Sequence, residues 1–155
     1  IGEEEASFDF VYCIGNSLVH LEDKKEMDDF FKSVSKMIKP GGGLVIQIVN
    51  YDRVLDKGVT ALPTIVNGDD GVTFVRDYRL VDHKIEFKTT LNIETDHMDE
   101  QYSQSVMLYP LRMEGLKHMF ERSDFGHISV YGGFDQSEFE EDRSFGLVMT
   151  GYKVV

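Results

Sequence analysis

The chain has 155 residues, 41% of them hydrophobic and 28% charged, enough for one domain with a real core and too few for two ordinary ones. Its 28 acidic and 16 basic residues leave a net charge of −12. That balance argues against nucleic-acid and anionic-membrane surfaces, which need clustered Lys and Arg. A single cysteine, Cys13, leaves no internal disulfide framework and fits a reducing, cytoplasmic setting. The opening Ile1-Gly2-Glu3-Glu4-Glu5 has neither an initiating methionine nor the basic and then apolar start of a signal peptide. The longest apolar runs fall far short of a membrane span.

The first element is Phe8–Gly15, apolar on both alternating faces, the pattern of a central strand covered on its two sides. Met27, Phe30, Phe31, Val34, Met37 and Ile38 then form one helical stripe. Acids gather at the start of this helix and lysines at its end, as the helix dipole favours, and Pro40-Gly41-Gly42-Gly43 reads as its stop. Gly43–Val49 is a second strand of continuous apolar character. Strand, helix and strand of these lengths make a βαβ unit with parallel strands.

The period then changes. Val72, Phe74, Tyr78 and Leu80 share one face of a strand, and Ile85, Phe87, Leu91 and Ile93 one face of the next. A third run, Ser105–Tyr109, follows the polar stretch Asp96–Gln101. Together they predict an antiparallel meander, an insertion over residues 56–109 within a single domain spanning 1–155. A helix over 112–123 and two strands, His127–Tyr131 and Phe145–Val154, complete the chain. The fold class is α/β with an antiparallel insert. Gly41-Gly42-Gly43 follows a helix and precedes a strand, the wrong side for a ligand-cradling glycine loop.

Several segments, taken together and in order, carry a resemblance. Ser7-Phe8-Asp9-Phe10-Val11-Tyr12-Cys13-Ile14-Gly15-Asn16-Ser17-Leu18-Val19-His20-Leu21 resembles the fourth strand and following turn of class I S-adenosylmethionine-dependent methyltransferases. The Gly-Asn-Ser with a His four residues after the Asn is similar to the glycine N-methyltransferase branch. Met37-Ile38-Lys39-Pro40-Gly41-Gly42, Asn50-Tyr51-Asp52-Arg53-Val54-Leu55, Tyr109-Pro110-Leu111 and Gly133-Phe134-Asp135 extend the match from about residue 7 to the C-terminus. The family's sheet has seven strands. The resemblance implies that this chain holds strands four to seven of a Rossmann-like sheet with an inserted meander, and that the glycine-rich cofactor loop lies upstream.

The resemblance further implies S-adenosylmethionine as cofactor, bound weakly or not at all by this chain alone, and a small-molecule methyl acceptor. It implies Ile14, Gly15, Asn16 and His20 as cofactor contacts and Asn16, Asn50, Tyr51 and Tyr109 as substrate contacts. No catalytic base stands out among His20, Asp52 and Tyr109, and no metal site is suggested by the histidine spacing. From the residues alone, Asn16-Ser17 equally suits a helix cap, His20 a structural histidine, Asn50-Tyr51 a polar strand end, and Tyr109 a core aromatic with a wet hydroxyl. Cys13 reads as a buried small hydrophobe.

One departure narrows the acceptor. The branch carries an arginine just before Asn-Tyr-Asp to hold an amino-acid carboxylate, and here that position is Val49. Glycine is therefore not the expected acceptor: the substrate is less acidic, or is held by another residue. A competing reading is a non-catalytic truncated relative that acts as an interaction module. It would pair into a homodimer through the edge of the first strand, left open by the missing strands.

Overall fold

The computed structural model describes residues 6–95 and 97–154. Ile1–Glu5, read above for a leader, and Asp96, read as part of a polar stretch, lie outside them. In chain order the elements are β1 (Phe8–Cys13), a 3-10 turn (Ser17–His20), α1 (Lys24–Met37), β2 (Ile38–Val49) and α2 (Tyr51–Asp56). There follow β3 (Ala61–Asn67), β4 (Val72–Val81), β5 (Lys84–Thr95), β6 (Met98–Leu108), α3 (Met113–Glu121), β7 (Phe125–Tyr131) and β8 (Gly146–Lys153). They form two four-stranded sheets, β1-β2-β8-β7 and β3-β4-β5-β6. Strands β1 and β2 are parallel, as the βαβ pattern requires, and every other pair is antiparallel. The architecture is mixed α/β with two sheets.

Helix α1 begins where Asp23 accepts from the backbone N–H of Glu26, while the Glu26 carboxylate accepts from Glu22 N, a reciprocal cap. Its stripe buries Met27, Phe31 and Val34. The helix ends at Met37, ahead of the glycines. Those residues instead lie in β2, and Gly42 is there for strand pairing. A Cβ on it would stand 2.8 Å from the Asp9 carbonyl and 2.7 Å from Ile38 Cγ2, so only glycine lets β1 come that close.

The main core lies between one face of the first sheet and helices α1 and α3. Leu44, Ile46 and Ile48 of β2 and Leu147 and Met149 of β8 meet Met27, Phe31, Leu116, Met119 and Phe120. The other face of β1 departs from expectation. Phe8, Phe10 and Tyr12 are 43%, 52% and 67% exposed, and β1 stands at the edge of its sheet, not in the centre. Val11 and Cys13, on its opposite face, pack against the core. An apolar pattern on both faces says that both can be buried; among the described residues only one is.

The second sheet has four strands, not three, and β6 starts at Met98, well before Ser105. The polar residues that suggest a loop there belong to a row facing water, where cross-strand hydrogen bonds take the place of apolar packing. Gln101 donates to Asn92 at 2.6 Å and the Thr90 and Ser103 hydroxyls lie 3.1 Å apart. The opposite face carries Val72, Phe74, Arg76, Tyr78 and Leu80 against Ile93, Leu91, Thr89, Phe87 and Ile85. Its base is sealed into the main core by Tyr78, Ile85 and Leu108. Among the described residues no helix is long and apolar enough to cross a membrane.

Candidate functional site

Ligands of open α/β sheets gather beyond the carboxyl ends of the strands, here the turn after β1. Ile14 is 41% exposed. Gly15 has φ +72°, and nothing lies within 4 Å of where its Cβ would be, so the backbone is open to an approaching group. The turn is pinned from β2: Gly15 N donates to Gln47 Oε1 at 2.7 Å and Asn16 N to the Gln47 carbonyl at 3.2 Å. Gln47 is a site residue that the sequence reading missed, although a polar side chain inside Leu44–Val49 was a visible signal.

Asn16 precedes the 3-10 turn but makes no side-chain cap to it. Its Oδ1 accepts from Val49 N at 2.9 Å, and its Nδ2 donates to the Tyr51 hydroxyl at 3.0 Å. One amide therefore ties the end of β1 to the end of β2, leaving a second Nδ2–H for another partner. Tyr51 is fully buried, and burial pushes its phenol well above the ordinary range, so it stays neutral and acts as a hydrogen-bonding group, not a base.

Burial also raises Tyr78, which gives a pH signature. Unfolded tyrosines titrate near pH 10, while these two hold their protons to higher pH. The stability they contribute is complete below about pH 10 and is lost as pH climbs towards their folded values, because the unfolded chain then binds fewer protons. Urea midpoints measured from pH 8 to pH 11 should fall above about pH 10, and Tyr51→Phe should flatten that fall. An unchanged slope in the variant would contradict the assignment.

Asn50, by contrast, has its side chain fully engaged in the protein. It is buried, its Oδ1 caps α2 through Arg53 N at 3.2 Å, and its Nδ2 donates to the Glu141 and Ser144 carbonyls at 2.9 Å each. It fastens the loop before β8 onto the end of β2. Asp52 is likewise committed, accepting from Met113 N at 2.8 Å and Arg112 Nη1 at 3.2 Å and so fixing the start of α3. Tyr109 is half-buried against the core, its N–H donating to the Val19 carbonyl at 2.8 Å. Cys13 is half-buried and burial raises its thiol pKa, which keeps it protonated.

His20 is exposed and shares a cavity of about 130 Å³ with Phe87, Thr89, Gln104 and Val106 of the meander. Thr89 and Gln104 also border a second cavity of about 430 Å³ with Phe74, Leu91, Tyr102 and Ser103. The inner face of the second sheet thus runs from His20 outward. The structure gathers Ile14, Gly15, Asn16 and His20 around one turn, with Tyr51 bonded behind it. It brings in Thr89 and Gln104, which no motif marked because strand pairing alone puts them there.

An α/β sheet with an exposed, glycine-opened turn after its first parallel strand, joined to an antiparallel second sheet, matches part of a Rossmann-like fold whose solved neighbours are S-adenosylmethionine-dependent methyltransferases. A structure of a S-adenosylmethionine-dependent methyltransferase from Clostridium acetobutylicum superposes with a TM-score of 0.78 at 13% identity, covering 96% of this chain and 59% of that one. CalS10 from Micromonospora echinaspora, an amino pentose methyltransferase solved with S-adenosylmethionine bound, gives a TM-score of 0.71 at 16% identity over 99% and 60%. These likenesses concern the fold. In sequence the chain is similar to the glycine N-methyltransferase branch. It is 26% identical over 138 residues to the glycine/sarcosine/dimethylglycine N-methyltransferase of Actinopolyspora halophila, 89% of this chain and 23% of the relative. The glycine/sarcosine N-methyltransferase of Aphanothece halophytica is 26% identical over 141 residues, 89% and 49%. The chain therefore spans less than half the length of these relatives, matching their C-terminal part. No family model matches it.

Proposed function

We propose that the protein transfers a methyl group from S-adenosylmethionine to a small-molecule acceptor, and that this chain supplies one wall of the cofactor site and the acceptor-facing cap. The observation that carries the reading is the grouping of Ile14, Gly15, Asn16 and His20 in the turn after β1, with His20 beside Phe87, Thr89, Gln104 and Val106 of the meander. S-adenosylmethionine, when bound, supplies an electrophilic sulfonium methyl, so the protein has to align, exclude water and accept a proton. Ile14 offers an apolar surface and Gly15 an unobstructed backbone. Asn16, held rigid by Val49 and Tyr51, presents its remaining amide N–H to the acceptor. His20, at the rim, can take the proton of an acceptor amine.

Calorimetric titration of the full-length protein with S-adenosylmethionine tests this. Binding is expected in the micromolar range, weakened at least about tenfold by Asn16→Ala, which removes the side-chain tie from the turn to Val49 and Tyr51. Residues 1–155 alone should bind weakly or not at all, lacking a glycine loop after a strand. Absence of binding by the full-length protein would defeat the proposal.

A second reading rests on the exposed apolar row Phe8, Phe10 and Tyr12. As an isolated module the chain would pair along the free edge of β1 into a homodimer. Light scattering of residues 1–155 is expected to give twice the chain mass on this reading, and a clean monomer would sink it.

A further inference from the structure

The two cavities on the inner face of the second sheet share Thr89 and Gln104 and so run into one another. Strand pairing sets the order of their walls. Phe87 faces Val106, Thr89 faces Gln104 and Leu91 faces Tyr102 across the β5–β6 ladder, and strand alternation turns all of them to one side. From the Phe87 rung to the Leu91 rung is about 13 Å of strand. His20 stands at the inner end of this groove, at the close of the 3-10 turn that follows Asn16. Phe74 of β4 joins Leu91 and Tyr102 at the outer end.

The imidazole apart, the walls carry no ionisable cation or carboxylate: among the described residues no Asp, Glu, Lys or Arg borders either cavity. Arg76, across the ladder from Thr89, borders neither and donates its Nη2 to the Pro63 carbonyl at 2.7 Å. The Tyr102 hydroxyl donates to the Glu100 carboxylate, so the charge bonded to the wall is negative. A carboxylate entering here gives up water and gains no cation. The net charge of −12 adds to its exclusion and favours a protonated amine.

Polarity narrows the ligand further. Phe74, Leu91 and Tyr102 offer broad apolar surfaces that suit the face of an aromatic ring. Of the hydroxyl and amide side chains between them, Ser103 has its oxygen 3.1 Å from the Thr90 hydroxyl, on the other side of the sheet. Thr89 and Gln104 remain, enough for a hydroxyl or two on a ring edge and too few for a polyhydroxylated sugar.

We infer that this groove is the acceptor subsite and that it takes an arylalkylamine without a carboxylate, its amine at His20 and its ring among Phe74, Leu91 and Tyr102. Glycine and sarcosine, for which the relatives are named, are too short to span the rungs and carry the disfavoured group. In the transfer the neutral amine nitrogen bonds the methyl carbon as the methyl–sulfur bond breaks. That bond's electron pair stays on sulfur as a thioether, and the surplus proton on nitrogen passes to His20.

The acceptor role rests on the methyl-transfer reading, whereas binding of the amine does not. Calorimetric titration of the full-length protein compares tyramine with tyrosine, the same molecule plus a carboxylate, and with glucosamine. Tyramine is expected to bind at least about tenfold more tightly than either. Tyr102→Ala removes an exposed ring that contributes little packing. It should weaken tyramine about tenfold and move the affinity for S-adenosylmethionine less than about twofold. Tyrosine binding as tightly as tyramine overturns the exclusion of carboxylates, and glucosamine binding more tightly overturns the aromatic assignment. No binding of tyramine by wild type, or no loss in Tyr102→Ala, overturns the site. Transfer of a labelled methyl group is read separately. Tyramine that binds in a Tyr102-dependent way yet gains no methyl group sustains the binding site and defeats the methyl-transfer reading.

Discussion

Phe120→Ala is expected to lower the unfolding free energy by about 4 kcal/mol, in the range measured for buried aromatics cut back to alanine. Phe120 is fully buried on α3 and stands edge-on to Phe31 of α1 at 5.2 Å and to Phe125 of β7 at 5.7 Å. Gly151 of β8 faces it so closely that a Cβ there would come within 2.7 Å of the ring. Truncation therefore leaves a cavity bounded by two helices and the sheet backbone, a site with little room to collapse. Urea denaturation followed by circular dichroism would measure it, and a loss below about 1 kcal/mol would mean that the packing is not as tight as the geometry says. The effect reaches the site because α3 is capped by Asp52, two residues beyond Asn50.

Asn50→Ala is expected to cost about 3 kcal/mol, the sum of a lost helix cap and buried carbonyls left without donors. The two contributions share one side chain, so their separate values need not add. Asn50→Asp should restore the cap to α2 but not the donors to Glu141 and Ser144, since a carboxylate only accepts. The loop 140–144 should then be cut faster by protease in both variants. If Asn50→Ala leaves stability and proteolysis unchanged while weakening acceptor binding, Asn50 faces the ligand and not the loop.

Much of the architecture is legible in the chain of residues because the relevant physics is local. The stripe from Met27 to Ile38 marks α1, the apolar run before Val49 marks β2, and a helix between two such strands forces them parallel. The alternation in 72–93 likewise marks an antiparallel pair. Legibility ends where partners are remote in sequence. The polar stretch Asp96–Gln101 reads as a loop until β5 lies beside its described part and offers Asn92 as the partner of Gln101. Two apolar faces on β1 say nothing about which of them is covered.

The site divides in the same way. The family resemblance marks the turn Ile14-Gly15-Asn16 and His20 as the ligand-facing end of a strand, whereas the residue types alone equally suit a helix cap and a structural histidine. Their hydrogen-bond partners were decided by tertiary structure alone. Asn16 and Asn50 are the same residue type at the ends of the two parallel strands. One keeps a free amide N–H at the rim, while the other spends its side chain on α2 and a loop ninety residues away. By itself the sequence determined the first helix, the parallel pair, the alternating strands of 72–93 and the family likeness, because hydrophobic period and turn chemistry act within a few residues. Burial and hydrogen-bond partnership depend on segments brought together from across the chain, and those decided which side chains can meet a ligand.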